Sequence, residues 1–563
     1  MYFTKYFLVN KNTQSLHLKS LISCYMCKLL NCCLLLFAMQ WQTGFAQPQS
    51  TPLPSPFKNI DTLATNDWWN RPPNEIINLN VNRDSVVAFG LYTVHANVLK
   101  LTAQLYPLYP DETRKISLAL YQDEKWKVVQ IQYVNEFGWS ALFRIENWDY
   151  SKDTKYRITH GKRAYFEGTI RKNPDYKNEI VMAALSCNSN KDRGLRKNYV
   201  RNINYQDPDL MFFAGDQSYD HTEHTAAWLK FGLQFRETFR NRPCITIPDD
   251  HDIGQGNLWG ENGKLSTSKG SSDGGYTYHP EYVKMVERCQ TAHLPDPYDP
   301  TPIEQGIGVY YTNLTLGGID FAILEDRKFK SGPEGKIPQQ GPRPDHIRNP
   351  QYDPSSIDLE GLTLLGERQL IFLKDWGSKN SGVMKVVLSQ TGFCGGAHIH
   401  GSLDNRLHAD LDSNGWPQSG RDEALRLIKN ANAVHIAGDQ HLATVIQHGI
   451  NNFRDGPWAF IVPAIVNDYY SRWWWPEEEQ AGANSNNNTA LPWTGDYLDG
   501  FGNRISMMAY VNPESPSNGG GYGLIRFNKI EKNITFECWP RNSDVTTGKA
   551  TQFEGWPITI TVD

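Results

Sequence analysis

The chain lacks an apolar run long enough to cross a bilayer. The stretch from Leu29 to Met39 spans eleven residues, whereas a membrane helix needs about twenty. It also lacks a run of Lys and Arg of the kind that grips nucleic acid, and the formal charge is −5, so no polyanion groove is expected. No Gly-x-Ser-x-Gly elbow occurs, which gives serine-triad catalysis little support. No internal repeat is visible. Cysteine is sparse: nine in 563 residues, four of them (Cys24, Cys27, Cys32 and Cys33) before residue 47.

Residues 1–46 carry Lys5, Lys11, Lys19 and Lys28 but no acid. They continue into the Leu29–Met39 run and close on Thr43-Gly44-Phe45-Ala46. A positive flank, a short apolar stretch and small residues before a cut read as a secretory signal, so an exported protein, periplasmic or extracellular, is expected. A start at Met26 would make that signal compact. A retained membrane anchor is the rival reading, and a lipoprotein signal ending at Cys24 is weaker. Cleavage after Ala46 would leave 52 basic and 61 acidic residues. It would also leave five cysteines, Cys187, Cys244, Cys289, Cys394 and Cys538, an odd number that leaves at least one thiol unpaired or otherwise engaged.

Residues 47–60 are rich in Pro and Ser and read as a linker within a lead-in, 47–83. From 84 to 171, seven alternating β-branched and aromatic runs, SVVAFGLYTV through YFEGTI, are separated by turn residues. That spacing predicts a small all-β sandwich of the immunoglobulin or fibronectin kind. From 172 to 563 the pattern changes. EIVMAALSC, DLMFFAGD, GIDFAILED, VMKVVLSQT and AVHIAGDQ read as buried strands. TAAWLKFGLQFRETF, YVKMVERCQTA, GERQLIFLKDWGSK and RDEALRLIKNA have helical period. The alternation predicts a layered α/β catalytic domain with a C-terminal β extension.

Four strand ends carry metal-type ligands: Ser186-Cys187-Asn188, Gly215-Asp216-Gln217-Ser218-Tyr219-Asp220-His221, Asp249-Asp250-His251-Asp252, and Gly438-Asp439-Gln440-His441. Each alone is weak: a lone Cys is more often core, and an Asp beside Gly is as often a turn former. Together they would face several charges onto one rim, which is costly without a cation. Oxygen donors with one imidazole and one thiolate suit a hard cation beside a transition metal, and a pair of such ions serves phosphoryl transfer.

These segments resemble the PhoD-like (alkaline phosphatase D) branch of the calcineurin-like metallophosphoesterases, where a Cys replaces the first Asp-x-His segment and a Tyr the second aspartate. LEDRKFK (324–330) and LGERQLIFLKDWGSKNSGVMKVVLSQT (365–391) resemble flanking text of that family, and the likeness runs from about Glu179 to His448. The resemblance implies a layered αββα sandwich. It implies a metal-dependent phosphatase or phosphodiesterase acting on phosphate mono- or diesters through a metal-bound hydroxide at a binuclear site. It implies iron(III) and calcium as cofactors, with zinc or manganese as substitutes. Cys187, Asp216, Tyr219, Asp250, Asn257, Asp439 and His441 would be the metal ligands, Asp216 bridging, and His251 and Asp252 the catalytic residues. Asp252 stands where the family has Glu, and Gly254-Gln255-Gly256-Asn257 departs from its Asn pair, so Asn257 is placed by register alone.

A rival metal cluster is Cys394-x-x-x-His398-x-His400, open between zinc binding, a substrate loop and an ordinary glycine-rich loop. SRWWWPEEEQ (471–480) reads as a packed loop or as an aromatic rim for a sugar- or lipid-linked phosphoester. Two other functions stay open: a non-catalytic, metal-stabilised glycan- or surface-binding protein, and a hydrolase of another ester class.

Overall fold

The computed structural model describes residues 60–65, 67–268, 270–402, 404–466, 472–476, 491–512 and 519–562. The secretory-signal reading, nearly all of the linker reading, and Ser471 with 477–480 of the Trp-rich segment lie outside the described residues. No described helix is long and apolar enough to cross a membrane.

Each of the seven alternating runs is a strand: β1 (Val87–His95), β2 (Val98–Leu105), β3 (Lys115–Gln122), β4 (Lys125–Tyr133), β5 (Ser140–Ile145), β6 (Thr154–His160) and β7 (Ala164–Ile170). They pair antiparallel in two sheets, ordered β1-β2-β5 and β4-β3-β6-β7. Leu91, Leu101 and Phe143 from the first share a buried cluster with Leu118, Tyr156 and Phe166 from the second.

That cluster does not stop at the two sheets. The next elements are β8 (Glu179–Asn188), α1 (Lys197–Gln206), β9 (Leu210–Phe213), α2 (His224–Phe239), β10 (Cys244–Thr246) and the single turn α3 (Asp250–Ile253). Phe89 of β1 meets Trp228 of α2 edge-on at 5.6 Å. Gly232 makes this approach possible, because a Cβ there would stand 1.8 Å from the Phe89 ring. On its other side α2 sets Phe231 and Phe235 against Phe213 of β9, at 5.0 and 5.1 Å. Each ring so buried contributes roughly 1.5–3 kcal/mol.

The chain continues through α4 (Pro280–Thr291), β11 (Thr312–Leu316), β12 (Ile319–Ile323), β13 (His346–Ile347), α5 (Gly366–Ser378), β14 (Met384–Thr391), β15 (Ile399–His400), β16 (Ala409–Asp410), α6 (Gln418–Asn430) and β17 (Ala433–Gly438). It then forms β18 (Thr444–His448), β19 (Trp458–Ile461), β20 (Ala464–Val466), β21 (Arg472–Trp473), β22 (Gly495–Leu498), β23 (Arg504–Tyr510), β24 (Gly521–Asn528), β25 (Asn533–Pro540) and β26 (Ile558–Thr561). One sheet runs β10-β9-β8-β24-β25-β26, with β20 also pairing β8; a second runs β11-β12-β14-β17-β19-β18-β23-β22.

Strands β8, β9 and β10 are parallel, as are β12, β14, β17 and β19. Alternate residues of both sheets, such as Met182, Phe212, Phe321, Val386 and Ile436, meet in one core. Their other faces, through Ala183, Phe213, Val387 and Ala433, join the cluster that holds α2, α5 and α6. The mixed α/β expectation therefore agrees with the structure. The four helices read from periodicity are α2, α4, α5 and α6; α1 was not read.

Candidate metal centre

Parallel strands in adjacent positions deliver their C-terminal ends to one edge, and the four anticipated segments occur there. Cys187 lies near the end of β8, Asp216 just after β9, Asp250 opens α3 after β10, and Asp439 follows β17. The turns are tight enough to force unusual backbone. Cys187, Asp216, Asp439 and His441 all have positive φ, between 51° and 65°, a region non-glycine residues occupy at a cost. Gly215, at φ 108°, is required outright, since a Cβ would come within 2.4 Å of Asp249 Cβ.

Donor atoms converge in three overlapping groups: Cys187, Asp216 and His441; Asp216, Asp250 and His251; and Asp216, Asp249, Asp250 and Asp439. Within each, all donors lie within 4.8 Å of one another. Asp216 is common to all three. Tyr219 adds its phenol, 2.8 Å from His441 Nε2, and packs with Cys187 and Ala464.

Burial makes this concentration of acid expensive. It pushes the carboxyls of Asp216, Asp249 and Asp250 well above the usual range, and mutual repulsion adds to it. The Cys187 thiol and the Tyr219 phenol are raised by burial and then by Asp216. One protein cation answers part of the charge. Arg327, fully buried, donates from Nε to Asp249 Oδ1 at 2.6 Å, pairs with Asp412, and reaches Asp439 Oδ1 at 3.2 Å. Asp439 is further held by Thr391 Oγ1 (2.6 Å) and Gln440 Nε2 (2.8 Å). By contrast, Asp216 Oδ1 and Asp250 Oδ1 are buried and meet no hydrogen-bond donor among the described residues. Buried carboxylate oxygens of this kind call for a cation. The donor set, carboxylates with a thiol, a phenol and an imidazole, therefore fits metal ions.

A cavity of about 490 Å³ opens over the cluster, lined by Asp216, Tyr219, Asp250, His251, Asn257, Asp439 and His441. The cavity is also lined by residues not anticipated as part of the site: His221, Arg343, Asp345, His346, Asp410, Asp412 and Arg472. His251 packs against Tyr219, tilted by 40° with centroids 4.2 Å apart, and its Nδ1 lies 2.5 Å from His221 Nε2. Burial and then the neighbouring His221 depress its pKa.

Two anticipated residues are placed differently from the rest. Asp252 does not line this cavity but a void of about 10 Å³ beside Gln217 and Gln290. Its carboxylate accepts from the backbone N–H of Asp249 and of Gln217, both at 3.0 Å, which closes a capping box around α3. A shorter acid than Glu has less reach toward the cavity. Asn257 lines the cavity, with its amide committed to Asp345 Oδ2 at 2.7 Å.

The rival Cys394/His398/His400 trio is not assembled: His398 packs at a tilt against Trp474, while the Cys394 loop is tied to Asp499 through the N–H of Gly395. His400 is grouped instead with His346 and Asp410. All five cysteines after residue 60 are buried and free of disulfides.

Fold and site together define a mixed α/β protein with a buried carboxylate-rich centre at its strand ends. The fold is similar to a solved structure titled "Structure of PhoD", with 14% identity, TM-score 0.60, and coverage of 86% of this chain and 92% of that one. A glucanotransferase structure from Paenibacillus sp. matches at TM-score 0.17 and 10% identity, over 80% of this chain and 60% of that one, and carries no argument. No curated protein matches. Residues 225–498, just under half of the chain, match the model of the PhoD-like phosphatases, a family of phosphatase-type hydrolases. Cys187, Asp216 and Tyr219 precede the matched segment; they join the site through the geometry above.

Proposed function

We propose that the chain is an exported phosphoesterase that hydrolyses phosphate mono- or diesters at a binuclear centre built on Asp216. The observation that carries this reading is the sharing of Asp216 by three donor groups on the floor of one cavity. Cys187, Tyr219, Asp439 and His441 would hold one ion, and Asp250, with Asn257 nearby, a second; iron(III), which takes phenolate and thiolate, would suit the first and calcium, which takes oxygen, the second, with zinc or manganese as substitutes. Such ions would acidify water and offset phosphoryl charge.

The chain's own residues do the rest. His251, with Nδ1 engaged by His221, keeps Nε2 for a phosphoryl oxygen or for protonating the leaving group. Arg472 and Arg343 on the cavity wall add positive charge where a phosphate ester would sit. Arg327 fixes Asp249 and Asp439 and so positions the donors. The composition of residues 1–46 supports export.

The test is a paired assay on aryl phosphate monoesters and diesters, before and after chelation and with single metals restored. Metal-dependent turnover of either ester is expected. Tightly held metal with no turnover of either would instead favour a metal-stabilised binding protein.

A further inference from the structure

On the wall of the same cavity, four two-residue strands pair off. Strand β13 pairs antiparallel with β16 so that His346 stands opposite Asp410, and β15 pairs with β21 and brings in His400. We propose that His346, His400 and Asp410 form a separate cation site that takes a borderline divalent transition ion of the zinc class. The proposal goes beyond the phosphoesterase reading and does not rest on it.

The three side chains are buried, and one donor atom from each lies within 4.8 Å of the others. Their orientations are set from outside. Asp410 Oδ1 accepts from the Asp412 N–H at 3.1 Å, which turns Oδ2 toward His400. His400 Nε2 donates to the Ala397 carbonyl at 3.2 Å. That tautomer makes Nδ1 the lone-pair nitrogen, 3.7 Å from Asp410 Oδ2. Two ligands each about 2.0–2.2 Å from a tetrahedral zinc stand roughly 3.4 Å apart, so nitrogen and carboxylate oxygen are spaced as a metal-bound pair. His346 Nε2 lies 3.5 Å from Asp345 Oδ2, and Asp345 is itself held by Asn257 and Arg343. A carboxylate behind a histidine is the usual outer support of a metal-binding imidazole.

Two imidazoles and one carboxylate select a different ion from the oxygen-rich Asp216 cluster. Three protein ligands leave a fourth position, and since His346 and Asp410 line the cavity, that position faces it and takes water or an anionic oxygen. Arg472, with Nη2 3.6 Å from Asp410 Oδ2, opposes the cation and holds its affinity below that of an unopposed site.

Two measurements test the site, and the first needs no substitution. Crystals of the full chain soaked in zinc and measured at the zinc absorption edge are expected to show an anomalous peak between the three side chains; no peak there overturns the proposal. In solution, wild type is expected to bind one more equivalent of zinc than His346→Gln, His400→Gln or Asp410→Asn, with the matching loss of cobalt absorption in cobalt-loaded protein. Cys187→Ala, which alters the other cluster, is expected to keep that equivalent. Equal zinc stoichiometry in wild type and in every folded variant of the trio overturns the site.

Discussion

Arg327 is a guanidinium with almost no exposure, facing the carboxylates of Asp249, Asp412 and Asp439. Removing one side of a buried ion pair leaves the other side uncompensated, at a cost of about 3–5 kcal/mol. Arg327→Met is therefore expected to lower metal-free stability by that order in urea titration, with added cations recovering part of it. His251 belongs to a different kind of position. It touches the cavity, its Nδ1 is engaged by His221, and it is not needed to neutralise the acids. His251→Ala is expected to lower kcat by about 10²–10⁴-fold with metal content unchanged in elemental analysis; wild-type turnover would remove it from the chemistry. Cys187 and Asp439 were legible because they sit at strand ends, and Asp216, Asp250 and His441 because they follow one within four residues. Arg327 appears in the sequence only as part of a flanking resemblance, since nothing local says which acids a buried arginine will meet.

In the short helix α3 the acid anticipated as catalytic is engaged by the backbone. Asp252 closes its capping box and also holds the Gln217 N–H, so it ties the Asp250 turn to the Asp216 turn. Losing such a cap costs about 0.5–2 kcal/mol. Asp252→Asn is expected to lower the melting temperature and weaken metal retention while the shape of the pH–rate profile stays the same; a displaced profile would restore a role in proton transfer. Elements with a strong period, α2, α4, α5 and α6 and the seven N-terminal strands, were readable from sequence. Helix α1 was not, since KNYVRNINYQ buries only Tyr199, Asn202 and Ile203. Strands β13, β15 and β16, two residues each, have no period at all. The grouping of His346 with His400 and Asp410 depends on tertiary pairing across more than fifty residues of chain, which no local pattern encodes.

For the molecule as a whole, the acid cluster couples folding to both protons and metal. Asp216, Asp249 and Asp250 have folded-state pKa values raised above the ordinary 3.8. Their protonated forms favour the fold, so the contribution is complete below about pH 4 and is lost as pH rises through the raised values. Chelated protein is accordingly expected to lose thermal stability as pH climbs from 4 upward, through these groups, and cations restored at neutral pH are expected to recover it. Melting curves at a series of pH values, with and without chelator, check this; identical curves would mean that the cluster holds no ion.

The β8 strand that carries Cys187 is flanked on one side by β24, with Ala184 paired to Gly523. During synthesis the first donor strand therefore emerges from the ribosome long before its neighbour exists, and loop closure over such a span is slow. The donor set is complete only after His441 has been made, so in an exported chain of the kind proposed the ion would be taken up where the last strands dock.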